Sequence, residues 1–219
     1  MMTSLPGLEN LRPGAIYCIG RNYAEHAKEL NHPIPKTPII FMKPVCSLLS
    51  DEGTVIIPNN TNNVHHEAEL VIAIGTGGKN IAREDALSYI AGYAIGIDIT
   101  ARDIQNELKD SGKPWLLSKG LDTFSPIGKF VPPSSIAQPH NIKVELSVNG
   151  IIKQNGTTEN MLFPIDVLIE KLSTYFTLAP GDLIYTGTPE GVGPLIHGDI
   201  VEAHINDGVS TLKVHVAAS

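Results

Sequence analysis

Three carboxylates in apolar surroundings are the first feature of this sequence that could do chemistry. Glu67 and Glu69 stand two residues apart where the apolar segment 68–74 begins, and Asp98 is the only charged residue of segment 92–98. Side chains two residues apart on a strand point to the same side, so the glutamates lie together. Their repulsion in an apolar setting needs protonation or a cation. Three oxygen ligands without a thiolate predict a Mg²⁺ or Mn²⁺ site rather than a zinc site.

The spacing of the two glutamates has a second interpretation, in which both lie at an exposed strand end and are simply solvated. The neighbouring histidines, His65 and His66, have ligand spacing as well. One of them must face away from Glu67, because side chains alternate along a strand, and the other precedes the apolar run. Both histidines are therefore predicted to support the site rather than to bind the metal.

A histidine and a glutamate one helical turn apart form the second candidate group. Segment 20–30 predicts a short helix capped by Asn22, and this helix places His26 and Glu29 on one face. A carboxylate beside an imidazole orients the ring and raises its basicity, as in a general base that activates water. An ordinary surface pair has the same spacing, so the alternative stays open.

A lysine and a glycine-rich turn complete the residues that could act on a substrate. Lys119 follows Trp115 in a largely apolar segment, where a lysine could bind an anionic substrate or a developing oxyanion. Its stem could equally extend from the apolar patch to water. The turn 185–193 follows a strand-like segment, and its amides and hydroxyls could hold a carboxylate. A purely structural glycine turn is the alternative.

Short strands and a few helices must position these groups. Two hairpins are predicted, one with a strand over 142–149 that turns at Asn149-Gly150 and one that pairs 199–205 with 209–216. Helices are predicted over 164–176, over 83–93, and from Thr100 onward. Strands mixed irregularly with helices predict an α+β fold in which a mixed sheet folds over on itself.

Composition excludes several classes of protein. The 219 residues are 42% hydrophobic and 18% charged, which is typical of a globular chain and not of a disordered one or a coiled coil. A net charge of −7 without a basic cluster predicts no nucleic-acid partner and no anionic membrane partner. No segment approaches the roughly 18 apolar residues that span a bilayer, and the first 20 residues lack a signal-peptide pattern, so a cytoplasmic location is predicted. Cys18 and Cys46 lack paired spacing and are predicted to be buried thiols.

A series of segments resembles the fumarylacetoacetate hydrolase family. In chain order they are IGRNYAEHAKEL, FMKP, HHEAELVIAIG, GYAIGIDITARDIQ, PWLLSKGLDTFSPIG, VNG and LSTYFTLAPGDLIYTGTPEGVGP. The resemblance is strongest to the short bacterial and mitochondrial members that act as acylpyruvases or oxaloacetate decarboxylases. It implies a mixed β-sandwich roll with flanking short helices, usually a homodimer. Residues 1–15 would form a short N-terminal extension, and residues 16–219 a single catalytic domain.

The resemblance also implies roles for individual residues. Glu67, Glu69 and Asp98 would bind Mg²⁺ or Mn²⁺, and Lys119 would be the active-site lysine. His26 and Glu29 would form a catalytic dyad on a helix that orders over the bound substrate. The residues expected to contact the substrate are Arg21, Arg102, Gln105 and Thr188. Many relatives carry a phenylalanine shortly after the lysine, and this chain has Gly120-Leu121 there, a departure that affects the shape of the pocket.

The implied reaction is cleavage of the C–C bond beside a carbonyl in a 2,4-dioxo acid of the acylpyruvate or fumarylpyruvate type. It would pass through a pyruvate enolate that the metal and Lys119 stabilise, after His26 and Glu29 activate a water molecule. Decarboxylation of oxaloacetate would form the same enolate without water. Isomerisation or decarboxylation in aromatic catabolism is a further enzymatic alternative. The non-enzymatic alternative is a metal-binding scaffold without catalysis.

The segment over 23–35 is predicted to be a mobile lid. Its polar helix is followed by residues 31–35, which pack few apolar side chains. Closure over a substrate would exclude water and bring the dyad to the metal.

Overall fold

The computed structural model of the protein describes residues 2–29 and 34–219, and within them it contains fifteen β-strands and four α-helices. The strands are β1 Ile16–Gly20, β2 Ile39–Lys43, β3 Leu48–Ser50, β4 Thr54–Ile57, β5 Val64–His66, β6 Ala68–Ile74, β7 Ile90–Ile97, β8 Thr100–Ala101, β9 Ser125–Ile127, β10 Lys143–Val148, β11 Ile151–Thr157, β12 Leu183–Tyr185, β13 Gly193–Leu195, β14 Ile200–Ile205 and β15 Ser210–Ala218. The helices are α1 Ala24–Glu29, α2 Arg102–Asp110, α3 Leu116–Lys119 and α4 Ile165–Tyr175.

A seven-stranded mixed sheet carries the centre of the molecule, with the strand order β2-β1-β12-β6-β7-β9-β3. Every residue of β6 is buried, which explains why its sequence is a continuous apolar run interrupted only by Glu69. Strand β6 pairs antiparallel with β7, and beyond their ends the Asp98 amide donates to the Glu67 carbonyl oxygen at 2.8 Å. This pairing brings three carboxylates from two separate segments to one end of the sheet.

A five-stranded sheet packs against the first, with the order β11-β10-β14-β15-β4. Side chains along β10 alternate between half-buried and buried, as expected for a strand with one face toward the core. The buried face of this five-stranded sheet contributes Val144 and Leu146 from β10 and Val214 from β15. They join the core cluster that also holds Leu70 and Ile95 of the first sheet. The predicted α+β class with a mixed β-sandwich roll is therefore confirmed. A small sheet with the order β13-β5-β8 lies beside them.

Both predicted hairpins are confirmed. Strands β10 and β11 pair antiparallel and are joined by Asn149 and Gly150, whose φ angles of 52° and 77° lie in the left-handed region that such a turn requires. Strands β14 and β15 pair antiparallel across a short 3₁₀ turn at Asn206–Gly208.

The helix predictions are confirmed in part. The helix predicted over 164–176 is α4, whose buried residues include Leu168 and Leu172. The helix predicted over 83–93 is wrong, since only Arg83–Tyr89 is helical, as a 3₁₀ helix, and β7 begins at Ile90. The β-branched residues that follow gain more from pairing with β6 than from a longer helix. The third helix begins at Arg102, because Thr100 and Ala101 pair with β5 instead.

The two cysteines differ in exposure. Cys18 is buried on β1, and burial raises the pKa of its thiol well above the ordinary value. Cys46 is exposed, so the prediction of a buried thiol is wrong there. It lies in the 3₁₀ turn Val45–Ser47, where Ser47 is the buried member.

The segment before β1 packs on the main sheet. Leu5 is fully buried in a cluster with Ile16 and Phe130, and the Phe130 amide donates to the Pro6 carbonyl at 2.8 Å. Whether residues 1–15 form a separate extension stays a prediction. No helix in the described ranges has the length and apolar character that a membrane crossing requires.

Candidate active site

The three carboxylates predicted at the metal site meet at the end of β6 and β7. Glu67, Glu69 and Asp98 each offer a carboxylate oxygen, and these three atoms lie within 4.8 Å of one another. Their residues are only 5%, 2% and 1% exposed. The alternative of a solvated strand end is therefore wrong. We name Glu67, Glu69 and Asp98 the carboxylate triad.

Three buried cations compensate two members of the carboxylate triad. Lys119 Nζ lies 2.8 Å from Glu67 Oε2 and 2.5 Å from Asp98 Oδ2. Lys43 Nζ lies 2.5 Å from Asp98 Oδ1, and Arg102 Nη2 pairs with Glu67 Oε1. Burial by itself raises the pKa of Glu67, but the adjacent Lys119 and Arg102 outweigh it and hold this pKa well below the ordinary value.

Glu69 is the member of the carboxylate triad without an ion-pair partner in the described part of the chain. Burial, and then the charges of Asp98 and Glu67, raise its pKa well above the ordinary value. Its Oε2 accepts a hydrogen bond of 2.7 Å from the Gly187 amide. Three converging hard oxygen atoms, one of them uncompensated, fit a divalent cation such as Mg²⁺ or Mn²⁺.

The glycine-rich turn after β12 packs closely against Asn22, and Gly187 makes this contact possible. This residue has a φ of 98°, and a Cβ placed on it would lie 2.7 Å from the Asn22 Cβ. Only glycine permits both the left-handed backbone and that contact. In the same turn, the Thr188 hydroxyl donates a hydrogen bond of 2.8 Å to the Ala68 carbonyl oxygen. That hydroxyl has no proton left for a substrate and can only accept from one.

His26 and Glu29, the predicted dyad, lie side by side on α1, although Asn22 does not cap this helix as predicted. His26 is 4% exposed, and its Nδ1 lies 3.3 Å from Glu29 Oε2. Asn22 does not cap α1, because its side chain donates to the Thr186 carbonyl at 2.8 Å and bonds the backbone of Phe163. The Gly191 amide donates to Glu29 Oε1 at 3.1 Å and ties the end of α1 to the glycine-rich turn.

Burial lowers the pKa of His26 below its ordinary value, although the charges of Glu67 and Glu29 oppose this shift. The imidazole is therefore neutral near neutral pH. Because the Glu29 carboxylate only accepts hydrogen bonds, Nδ1 carries the proton and Nε2 keeps a lone pair. A neutral ring in this tautomer is able to take a proton. Its burial distinguishes it from a surface pair, which Lys28 and Glu25 on the same helix do form.

Helix α2 presents the predicted substrate contacts Arg102 and Gln105. Arg102 Nη1 donates to Gln105 Oε1 at 2.7 Å, and both residues are buried. Arg102 Nε is also buried, and among the described residues it has no hydrogen-bond partner. A buried donor without a partner is costly, so this guanidinium fits an anionic ligand.

One cavity collects the predicted residues. Its lining includes every one of them except Glu29, which reaches the cavity only through His26. Five further residues complete the lining: Ile19, Gly20, Phe41, Lys109 and Trp115. Lys119 Nζ lies 5.2 Å from the centre of the Phe41 ring, so an aromatic residue from β2 covers the lysine in this chain.

Three residues at this site escaped the sequence analysis. Lys43 ends an apolar strand and is 2% exposed, and its signals were a lone charge in such a run and its place in the segment FMKP. Lys109 lies one turn beyond Gln105 on the same helix face, which was a usable signal. Gln154 bonds His66 and the Ala68 amide through Oε1 and Thr188 through Nε2, and nothing in its strand marks it.

Comparison with known proteins agrees with this geometry. Residues 15–217 match the family described as fumarylacetoacetate (FAA) hydrolase C-terminal. The chain is 44% identical over 201 residues to the mitochondrial oxaloacetate tautomerase of Arabidopsis thaliana, which covers 92% of this chain and 90% of that protein. It is 45% identical over 191 residues to the mitochondrial oxaloacetate decarboxylase of Dictyostelium discoideum, covering 87% of this chain and 88% of that one.

A solved structure is similar over the whole chain. The fumarylpyruvate hydrolase of Pseudomonas aeruginosa, in complex with Mn²⁺ and pyruvate, superposes with a TM-score of 0.93 at 35% identity. The match covers 100% of this chain and 96% of that one.

Proposed function

This chain belongs to the fumarylacetoacetate hydrolase family, and on that premise we propose that it is a divalent-metal-dependent enzyme that hydrolyses a C–C bond of small 2,4-dioxo acids. The acylpyruvate and fumarylpyruvate types fit best. The observation that carries the proposal is the direct contact of Lys119 with two members of the carboxylate triad, in a cavity that His26 also lines. A cation that can stabilise developing negative charge, Lys119, and a candidate base, His26, then line the same cavity.

The chemistry requires a carbon leaving group that is stabilised as an enolate. A bound Mg²⁺ or Mn²⁺ would supply a Lewis acid that polarises the 2-oxo carbonyl. Burial by itself lowers the pKa of Lys119, but the charges of Asp98 and Glu67 outweigh it and raise this pKa, so the lysine stays protonated. Its ammonium can donate to the oxygen on which negative charge develops. The Arg102 Nε–H, which has no partner among the described residues, would bind the carboxylate of the pyruvyl head.

Water activation falls to His26. Its neutral ring would take a proton from a water molecule that attacks the distal carbonyl, while Glu29 holds the ring and stabilises the imidazolium. The carbon–carbon bond then breaks, and protonation of the enolate gives pyruvate and a carboxylic acid. Thr188 and Gln105 would orient the substrate.

Decarboxylation of oxaloacetate is the second candidate function, favoured by the similarity to the oxaloacetate decarboxylase of Dictyostelium. The Arabidopsis relative acts on oxaloacetate as well, as a tautomerase. Carbon dioxide would leave and the same enolate would form, with Lys119 in the same role. This reaction needs no attacking water, so it does not require His26 as a base. A homodimer, as the resemblance implies, stays a prediction.

An assay of three substrates tests the proposal. Protein loaded with Mg²⁺ or Mn²⁺ is offered acetylpyruvate, fumarylpyruvate and oxaloacetate, and pyruvate release is measured. We expect release from at least one of the two dioxo acids. Turnover of oxaloacetate alone would favour the second candidate. Release from none of them, with metal binding shown by calorimetry, would contradict both and leave isomerisation and the non-enzymatic scaffold as the alternatives.

Ligand binding is expected to slow amide exchange across α1. The helix has six residues, and Glu29 near its end is held through a partly exposed contact with Gly191, so local opening should be easy. Oxalate resembles the pyruvate enolate, and binding it should close α1 over the cavity. Hydrogen exchange by mass spectrometry, with and without oxalate, measures this. Residues 30–33 of the predicted lid lie outside the described part of the structure.

Helix α4 serves as the control for that exchange experiment, since its buried face should be equally protected in both states. Equal protection of Ala24–Glu29 with and without oxalate would refute closure by this segment.

A further inference from the structure

Gln154 is a buried polar residue on a strand that is otherwise open to solvent. The other side chains of β11 are exposed or half-buried, whereas Gln154 is 1% exposed. The pairing of β10 with β11 shifts its register here, so that Leu146 lies opposite Gln154 and Ser147 opposite Ile152. Such a bulge re-aims a side chain, and a polar group that is turned inward is costly unless its hydrogen bonds are made. The buried amide must therefore be fully paired.

Two backbone groups fix which way the Gln154 amide faces. The Ala68 N–H donates to Oε1 at 2.9 Å, and Nε2 donates to the Pro189 carbonyl at 3.0 Å. Since a backbone N–H can only donate and a carbonyl can only accept, the two ends of the amide cannot be exchanged. Oε1 also lies 3.0 Å from His66 Nδ1, and Nε2 donates to Thr188 Oγ1 at 2.8 Å. Both acceptor positions and both donor hydrogens of the amide are therefore used.

The Thr188 hydroxyl is held from two sides. It accepts from Gln154 Nε2 and donates to the Ala68 carbonyl, each at 2.8 Å. Ala68 is the residue between Glu67 and Glu69, so one amide holds both the hydroxyl and the peptide beside the carboxylate triad. Thr188 is 3% exposed and lines the cavity. Gln154 and Ala68 together thus fix the place of the Thr188 oxygen relative to the triad.

The glycine-rich turn reaches Gln154 because Gly191 lets it lie against β11. Gly191 has a φ of 92°, and a Cβ placed on it would lie 2.1 Å from the Lys153 carbonyl oxygen. Both this backbone conformation and this contact need glycine. The turn that carries Thr188 is thus seated on β11 by its own backbone. Removal of the Gln154 amide should therefore free the Thr188 hydroxyl without displacing the turn.

We propose that Gln154 is a positioning residue of the active site, which holds the Thr188 hydroxyl at the place where the substrate meets it. This inference rests on the proposed function, in which Thr188 orients the substrate. Gln154 does not line the cavity, so it acts through Thr188. Among the described residues, none that lines the cavity belongs to the five-stranded sheet. Gln154 is thus the side chain through which that sheet contributes to the site.

A double-mutant cycle on oxalate binding tests the proposal. Gln154→Met keeps the length of the side chain and removes its hydrogen bonds, and Thr188→Val keeps the shape of the threonine and removes its hydroxyl. Dissociation constants are measured by calorimetry on protein saturated with Mn²⁺. Each single change should weaken oxalate binding about tenfold or more, the usual effect of losing a hydrogen bond to a charged group. The double variant should bind as the single variants do, because Gln154 has no effect left once the hydroxyl is gone.

Steady-state kinetics on the substrate that the protein turns over give a second readout. Because Thr188 holds the substrate and moves no proton, Gln154→Met should raise KM about tenfold and change kcat by no more than about twofold. Gln154→Glu covers the case in which the methionine variant does not fold. It keeps an oxygen toward Ala68 and replaces the Nε2 donor by a second oxygen, so it should raise KM as well. Gln138→Met, at an exposed glutamine that does not line the cavity, is the matched control and should leave both constants unchanged.

Three results would overturn the role of Gln154 and leave the proposed function standing. The first is a loss of oxalate affinity in the double variant equal to the product of the two single losses. The second is a normal oxalate affinity in Thr188→Val, and the third is an unchanged KM in the Gln154 variants. Failure of the wild-type protein to bind oxalate would contradict the proposed function itself.

Discussion

Treatment with EDTA will abolish turnover, and addition of Mg²⁺ or Mn²⁺ will restore it. The reason is the convergence of three buried carboxylate oxygens within 4.8 Å, of which the Glu69 carboxylate has no cationic partner in the described structure. Pyruvate release measures the effect. Full activity in protein shown to be metal-free by elemental analysis would overturn the assignment of the carboxylate triad as a metal site.

Glu69→Gln sharpens this prediction, because its two effects have opposite signs. The amide side chain can still accept from the Gly187 amide, and it replaces a carboxyl group whose ionisation is opposed by burial, Asp98 and Glu67, so the metal-free variant should melt higher than the metal-free wild type. Each kcal/mol of stability corresponds to about 2–4 °C in a chain of this size. The rise in melting temperature on adding Mn²⁺ should be reduced or lost, since a ligand is gone.

The exposed Glu202→Gln is the control, with neither effect expected. A Mn²⁺-dependent rise in Glu69→Gln equal to that of the wild type would place the metal elsewhere.

His26→Ala should lower acylpyruvate hydrolysis by about 10²–10⁴-fold, which is the usual contribution of a general base. Oxaloacetate decarboxylation should fall less, because no water is activated. Lys119→Ala should damage both reactions, since both develop charge on the same enolate oxygen. Steady-state rates on both substrates give the comparison. His140→Ala, an exposed histidine, is the control.

The pH dependence gives an independent check on His26. Hydrolysis needs the neutral imidazole, and burial lowers the pKa of this ring. The acid limb of hydrolysis should therefore lie below the ordinary histidine pKa and disappear in His26→Ala. Equal losses of both activities in His26→Ala, with oxalate binding intact, would show that His26 does not act primarily as the base for water.

The carboxylate triad was predictable because its signals are local. A two-residue spacing fixes which side of a strand Glu67 and Glu69 face, and a lone acid in an apolar run marks Asp98 as a residue that needs a partner. The identity of those partners is not local. Lys43 lies 55 positions from Asp98, and Gln154 lies 88 positions from His66. Only the sheet pairing brings them together.

The predictions of local structure were wrong where pairing with a distant segment overrode the local preference of the sequence. The segment 90–93 has a sequence compatible with a helix, yet it becomes the start of β7 because β6 offers it a full set of backbone partners. Asn22 has the residue type of a helix cap, yet its amide is used to fasten α1 to the glycine-rich turn. Both errors have one cause. A backbone or side-chain group can form its hydrogen bond with a partner far along the chain as well as with a near one.

The parallel pairing of β1 with β12 has a consequence for how the chain is made. Ala15 and Asp182, which are joined by a hydrogen bond beside these strands, stand 167 positions apart. At about 5–20 residues per second, a ribosome needs on the order of ten to thirty seconds to cover that distance. β1 can pair with β2 soon after both are synthesised, but its other edge stays unpaired until β12 has been made. The glycine-rich turn that positions Glu69 is synthesised after β12. The nascent chain therefore has to remain protected from aggregation before the site can assemble.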